Sequence, residues 1–128
     1  LGCRVKRMTP QEHDSAFAAV SHLPHLLAFA MMHSISMQPE ADDYLSLAGP
    51  GFRDFTRIAA SDPKMWRDVL RSNREEVLGQ AALFREALRE LEQAMQADGD
   101  QQLEALIGEA SSTRGKWRMG AQRKSASS

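Results

Sequence analysis

The feature that most constrains this chain is a stretch of about 35 residues, from Pro63 to about Ala97, in which only Gly79 weakens a helix. Asp62 and Pro63 open it as N-cap and first helical residue. Trp66, Leu70, Val77, Ala81, Phe84, Leu88, Leu91 and Met95 then recur mostly at steps of three and four, with polar Asn73 in the seam. A helix of that span is about 50 Å long. A compact globule of 128 residues has a radius of gyration of only about 14 Å. The spacing therefore predicts a helix too long to bury within its own chain. Another domain or a second copy must cover part of its stripe.

The rest of the chain is also read as helical. Val, Ile and Thr total 10 residues against 18 Ala, too few strand-formers for a large sheet. Thr9, Pro10 and Glu12 form a capping-box start. The helix that follows, to about Met37, is expected to turn Phe17, Val20, Leu23, Leu27, Ala30 and Met31 to one face. Pro24 falls inside it, so a kink or local irregularity is expected there. Short helices are expected over about 40–47 and 52–60, separated by a firm break at Gly49-Pro50-Gly51. A last helix, from Gln101 to about Thr113, follows the Asp98-Gly99-Asp100 turn, with Leu103, Leu106, Ile107 and Ala110 inward. Residues 115–128 carry four basic and no acidic side chains and read as a disordered basic tail. At the other end, Cys3 and Val5 in residues 1–9 give a weak strand signal, the end of a preceding element.

Several function classes are disfavoured. The sequence has no GxGxxG, P-loop, paired CxxC or G-x-S-x-G motif, and no nucleophile beside an evident base. Four tail charges with one aromatic, Trp117, are weak grounds for nucleic-acid binding. The longest apolar run, Leu26 to Met32, is too short to span a bilayer, and no signal peptide is visible. The lone Cys3 excludes an internal disulfide framework and suits a cytoplasmic setting. The chain begins at Leu1 rather than Met, as expected of a piece of a longer protein.

Two groups of polar residues remain. His22 and His25 are three apart on one helix, flanking Pro24, with His13 and His33 on either side. Such a set is open to three readings: half-buried structural histidines, a polar site, or a metal site. No matching Cys or Glu supports a metal, and none is assigned. In the second group, Arg53 and Arg57 share a helix face and Asp54 is placed to pair with Arg57. This is either a solvated face or a clamp in which an arginine grips a carboxylate in bidentate fashion. Gly49 and Gly51 would allow close backbone approach to it.

The stretches Glu12-His-Asp14, Ser21-His-Leu-Pro-His25, Gly51-Phe-Arg-Asp-Phe-Thr-Arg57 and Ala60-Ser-Asp-Pro-Lys-Met-Trp66 occur in an order and spacing that resemble one family. The chain, over about residues 1–110, is similar to the C-terminal helical domain of prephenate, arogenate or cyclohexadienyl dehydrogenases. Leu1 to Val5 resembles that family's last strand before the helical domain.

The resemblance implies an all-α substrate-binding and dimerisation domain over residues 10–114, forming an intertwined homodimer. It implies oxidative decarboxylation of prephenate or arogenate in tyrosine synthesis. NAD or NADP would be held by an N-terminal Rossmann domain that these residues lack, so the fragment alone would be inactive. No catalytic residue of the reaction is then expected here. His25, Arg57, Asp54, Gly51 and Trp66 are expected at the substrate, with Arg57 on a carboxylate and Asp54 orienting it. Trp66 is expected to be delivered by the partner subunit. His22 and Thr56 are expected to support these residues from behind. Pro50 stands where the family has glycine or a small polar residue, and it removes a backbone N–H. Without the resemblance, the alternative is a stand-alone helical dimeric regulatory or interaction module.

Overall fold

The computed structural model describes residues 7–127, with side chains as far as residue 118. Among the described residues there is no strand. The helices are α1 (Pro10–Phe17), α2 (Leu23–Ser36), α3 (Ala41–Ser46), α4 (Pro50–Thr56), α5 (Pro63–Ser72), α6 (Arg74–Gln96) and α7 (Gln101–Ser127). The expected strand around Cys3 and Val5 lies outside the described residues. Thr9–Ala82 form one compact unit, and a second begins at Leu83.

The first unit starts on the predicted capping box. Thr9 N–H donates to Glu12 Oε1 at 2.8 Å, and Glu12 N–H donates to Thr9 Oγ1 at 3.1 Å. Between α1 and α2 the helix does not stop but widens into a π-turn, Ala18–His22. The cause is Pro24. It has no N–H to give Val20, and in a regular helix its ring would crowd the Val20 carbonyl. Widening the turn lets Leu23 N–H bond the Ala18 carbonyl five residues back. Pro24 then sits in the first turn of α2, where a missing donor costs little.

The extra residue in that turn rotates everything after it, which corrects the expected apolar face. Ala18, Leu23 and Ala28 are the buried residues, five apart, while Val20 is 72% exposed and Phe17 and Met31 are also open. α2 is the hub of this unit and packs against α3, α4 and the short 3-10 turn Arg57–Ala59. Gly49-Pro50-Gly51 is not a loop but a helix start. Gly49 is the N-cap and Pro50 the first residue of α4, so Gly51 is helical.

The helix expected to run unbroken over 63–97 is interrupted at Asn73, with φ −119° and ψ 34°. Asn73 ends α5 and its carbonyl accepts the first bond of α6, from Val77 N–H at 3.0 Å. The α6 stripe is buried only at Val77 and Ala81 in the first unit and at Ala94 in the second. Phe84, Leu88 and Met95 on the same stripe are exposed, with Met95 at 70%. No large side chain in the described chain is fully buried.

In the second unit α7 passes the expected end at Thr113 and continues to Ser127, so the segment read as a disordered tail is helical. Leu103 and Leu106 are half-buried, whereas Ile107 and Ala110, expected inward, are exposed. Arg114 sits over the Trp117 ring, 4.5 Å from its centroid. On α6 the Arg89 guanidinium is held above its ordinary range by its hydrogen bond to Glu86 and by that carboxylate's charge.

α5 begins as predicted, with Met65 N–H donating to Asp62 Oδ2 at 2.8 Å. Asp62→Ala is expected to destabilise the fold by about 1 kcal/mol, the usual worth of such a cap. Urea unfolding with an unchanged midpoint would count against that cap.

Candidate functional site

The predicted histidines meet the predicted tryptophan. The His25 ring stacks on Trp66 with centroids 3.7 Å apart and planes 16° from parallel. His22 meets Trp66 edge-on at 6.1 Å, and Phe29 meets it edge-on at 6.2 Å. Phe17 and His13 extend the row, with Phe17 6.4 Å from His22 and 4.3 Å from His13. Trp66 was expected from a partner subunit, but here it reaches His25 of its own chain.

Local structure sets both partners of the stack. Trp66 lies in the first turn of α5, where its N–H donates to the Asp62 carbonyl at 3.1 Å. The Asp62 cap and Pro63 therefore fix where its backbone sits. His25 follows the π-turn, and its Nδ1 donates to the Ser21 carbonyl at 3.0 Å. A carbonyl only accepts, so Nδ1 carries a proton. The neutral ring then offers Nε2 as an acceptor, and the protonated ring offers it as a donor. His22 Nδ1 is buried with no hydrogen-bond partner, consistent with a ring held by packing.

The second expected group is positioned differently. Arg57 is exposed and begins the 3-10 turn that packs on α2. Asp54 makes no ion pair with it; the ion pairs among the described residues are Arg67–Asp68 and Arg89–Glu86. The expected spacing assumed a regular helix through residue 57, whereas α4 ends at Thr56 and the chain tightens. Thr56 Oγ1 is occupied by the Phe52 carbonyl at 2.7 Å. Gly51 is exposed, and a Cβ placed on it would meet nothing within 4 Å, so nothing in this chain demands glycine there. The fold thus brings His22, His25 and Trp66 into contact. It places Arg57, Asp54, Gly51 and Thr56 on elements flanking α2, without joining them to the rings.

Among the described residues, no three His, Cys, Asp or Glu side chains are grouped to hold a metal. His22 and His25 face an indole instead. Sequence reading missed Phe29, and it missed the role of the Ser21 carbonyl. Pro24 was the available signal for both, since it displaces the turn that aims His25.

The model of the prephenate dehydrogenase dimerization domain matches residues 9–109. The chain belongs to that family. It is 39% identical over 89 residues to prephenate dehydrogenase of Bacillus subtilis, covering 66% of this chain and 22% of the relative. It is 33% identical over 107 residues to cyclohexadienyl dehydrogenase of Zymomonas mobilis, covering 81% and 36%. Among solved structures, it is similar to prephenate dehydrogenase from A. aeolicus in complex with hydroxyphenyl propionate and NAD+. That likeness has a TM-score of 0.80 and 37% identity, over 88% of this chain and 40% of the other. Synechocystis arogenate dehydrogenase gives a TM-score of 0.81 at 25% identity, over 91% and 43%. The dimerization domain thus spans about a quarter to two fifths of these relatives. Pro10–Ser36, 27 residues, is long and apolar enough to cross a membrane by length and composition alone. In this family domain the same helix carries the ring row and packs against α4.

A double-mutant cycle on His25→Ala and Trp66→Ala is expected to show a coupling of about 0.5–1.5 kcal/mol, the range for packed aromatic pairs. Additive losses in urea unfolding would mean that the two rings do not stack in solution.

Proposed function

We propose that this domain binds the substrate of, and dimerises, an NAD- or NADP-dependent dehydrogenase that oxidatively decarboxylates prephenate or arogenate. The observation that carries this reading is the His25–Trp66 stack beside the Arg57 turn, inside a domain whose relatives bear these activities in their names. The A. aeolicus relative was solved with hydroxyphenyl propionate, an aromatic carboxylate, and NAD+. Both ligands suit the proposal.

In such an oxidation NAD or NADP would supply the hydride acceptor while the substrate loses carbon dioxide. The described residues offer no strand and glycine-rich turn to seat a dinucleotide pyrophosphate. In this reading NAD or NADP is held by a Rossmann domain outside them. This domain's own work is to hold and orient. Arg57, exposed and without an ion-pair partner among the described residues, presents a planar fork of donors that fits a carboxylate in bidentate fashion. His25, with Nδ1 tied to Ser21, directs Nε2 to a substrate oxygen. Trp66 backs that histidine, and the Gly51 backbone lines the approach. Asp54 comes to bear on Arg57 when the carboxylate arrives. His22 and Thr56 hold the surrounding helices.

The second role is pairing. The first unit buries mainly alanines, and the α6 stripe leaves Phe84, Leu88 and Met95 open to solvent. A homodimer that covers them stabilises each by removing apolar area from water. Its proposed setting is the cytoplasm, which the lone Cys3 suits.

In the intact dehydrogenase, Arg57→Ala is expected to raise KM for prephenate or arogenate by about tenfold or more, with a much smaller fall in kcat, because a ground-state carboxylate contact is lost. An unchanged KM removes Arg57 from the site. Light scattering on the 128-residue chain at micromolar concentration is expected to report a dimer. A monomer with the same helical content would overturn the pairing.

A further inference from the structure

Asn73 caps the C-terminal end of α5, whose first turn carries Trp66. Trp66 meets His25, and the Asn73 amide nitrogen donates to the Asp14 carbonyl at 2.9 Å, 59 residues away in sequence. The Asp14 carbonyl also accepts from Ala18 N–H, the residue at which α1 gives way to the π-turn. One residue on, Ser15 Oγ donates to Glu76 Oε1 at 2.6 Å. Two tertiary hydrogen bonds therefore tie the junction of α5 and α6 to the last turn of α1. This is the turn from which the shifted register that delivers His25 begins. A widened turn is intrinsically less stable than regular helix. An outside donor on a carbonyl of the helical turn that leads into it fixes the segment from which it starts.

We propose that Asn73 is a positioning residue. It interrupts the long helix and grips the Asp14 carbonyl, so that α5 and the π-turn stay in the one register that lays Trp66 on His25. Asparagine suits both tasks. Its backbone opens α6, and its amide reaches across while the break leaves it off the helical path. Its consequence for catalysis rests on the substrate-site reading above, whereas its consequence for the stack does not.

The test is Asn73→Ser in the intact enzyme, because serine caps a helix as well as asparagine but is too short to reach Asp14. Two readouts separate the ideas. The first is the change in tryptophan emission on substitution, scored as the part that vanishes in a Trp66→Phe background. The second is steady-state kinetics with prephenate and NAD. The expected result is a Trp66-dependent emission change approaching that of His25→Leu, and KM raised about fivefold with kcat within about twofold. Asn73→Gln, which keeps the amide donor, is expected to recover part of both. If Asn73→Ser leaves emission unchanged, Asn73 is only a cap and the proposal is overturned. An emission change with unaltered KM supports the positioning of the stack and removes the stack from the substrate site, so it is the functional reading that fails. Should Asn73→Ser not fold, Ser15→Ala decides. It removes the neighbouring link alone and is expected to give a smaller change of the same kind, and its silence in emission would overturn the proposal.

Discussion

The domain depends on how one proline is accommodated inside a helix. Pro24 cannot donate to Val20, and its ring excludes the usual carbonyl position, so the preceding turn widens to the π form. Three consequences share that cause. The buried face moves to Ala18, Leu23 and Ala28, and the two alanines let neighbouring elements approach closely. His25 turns onto the Trp66 indole. Its Nδ1 finds the Ser21 carbonyl, which settles the tautomer and leaves Nε2 for chemistry. Rigid placement of a polar atom on a helix, backed by a large ring, is what a site for a small anionic substrate needs.

The core accounts for the pairing proposed for this domain. Its buried residues are mostly Ala, with Leu23 and Val77, so apolar burial within one chain is modest. Leu78, Leu83, Leu88 and Met95 on α6 remain exposed. Exposed apolar area of that kind on a helix of 23 residues favours the proposed interface over a solvated face. Membership in a dimerization-domain family fits that reading.

Helix starts were legible because capping is local. Thr9-Pro10 with Glu12, and Asp62-Pro63, open helices where their chemistry requires it, and the structure shows the predicted hydrogen bonds. The irregularity near Pro24 was legible for the same reason. The motifs around His25 and Trp66 named both rings, but not that they would stack within one chain. The break at Asn73 was not legible. An asparagine within an apolar seam is tolerated by helix propensity alone, and only a donor–acceptor match with a carbonyl 59 residues away makes leaving the helix favourable. The expected Asp54–Arg57 pair failed similarly, since regular spacing was assumed where α4 tightens to a 3-10 turn packed on α2. The tail was misread because composition registers charge and small residues, whereas α7 simply continues through them.

By itself, then, the sequence determined a helical fold and where its side-chain-capped helices begin. These follow from propensity, capping and periodicity, all of which act over a few residues. Only the tertiary structure decided which face of the first helix is buried, where the long helix breaks and which ring covers which. The first follows from how far the turn before Pro24 widens, and the others from contacts between residues about forty to sixty positions apart, Trp66 with His25 and Asn73 with Asp14, whose energies no local pattern contains.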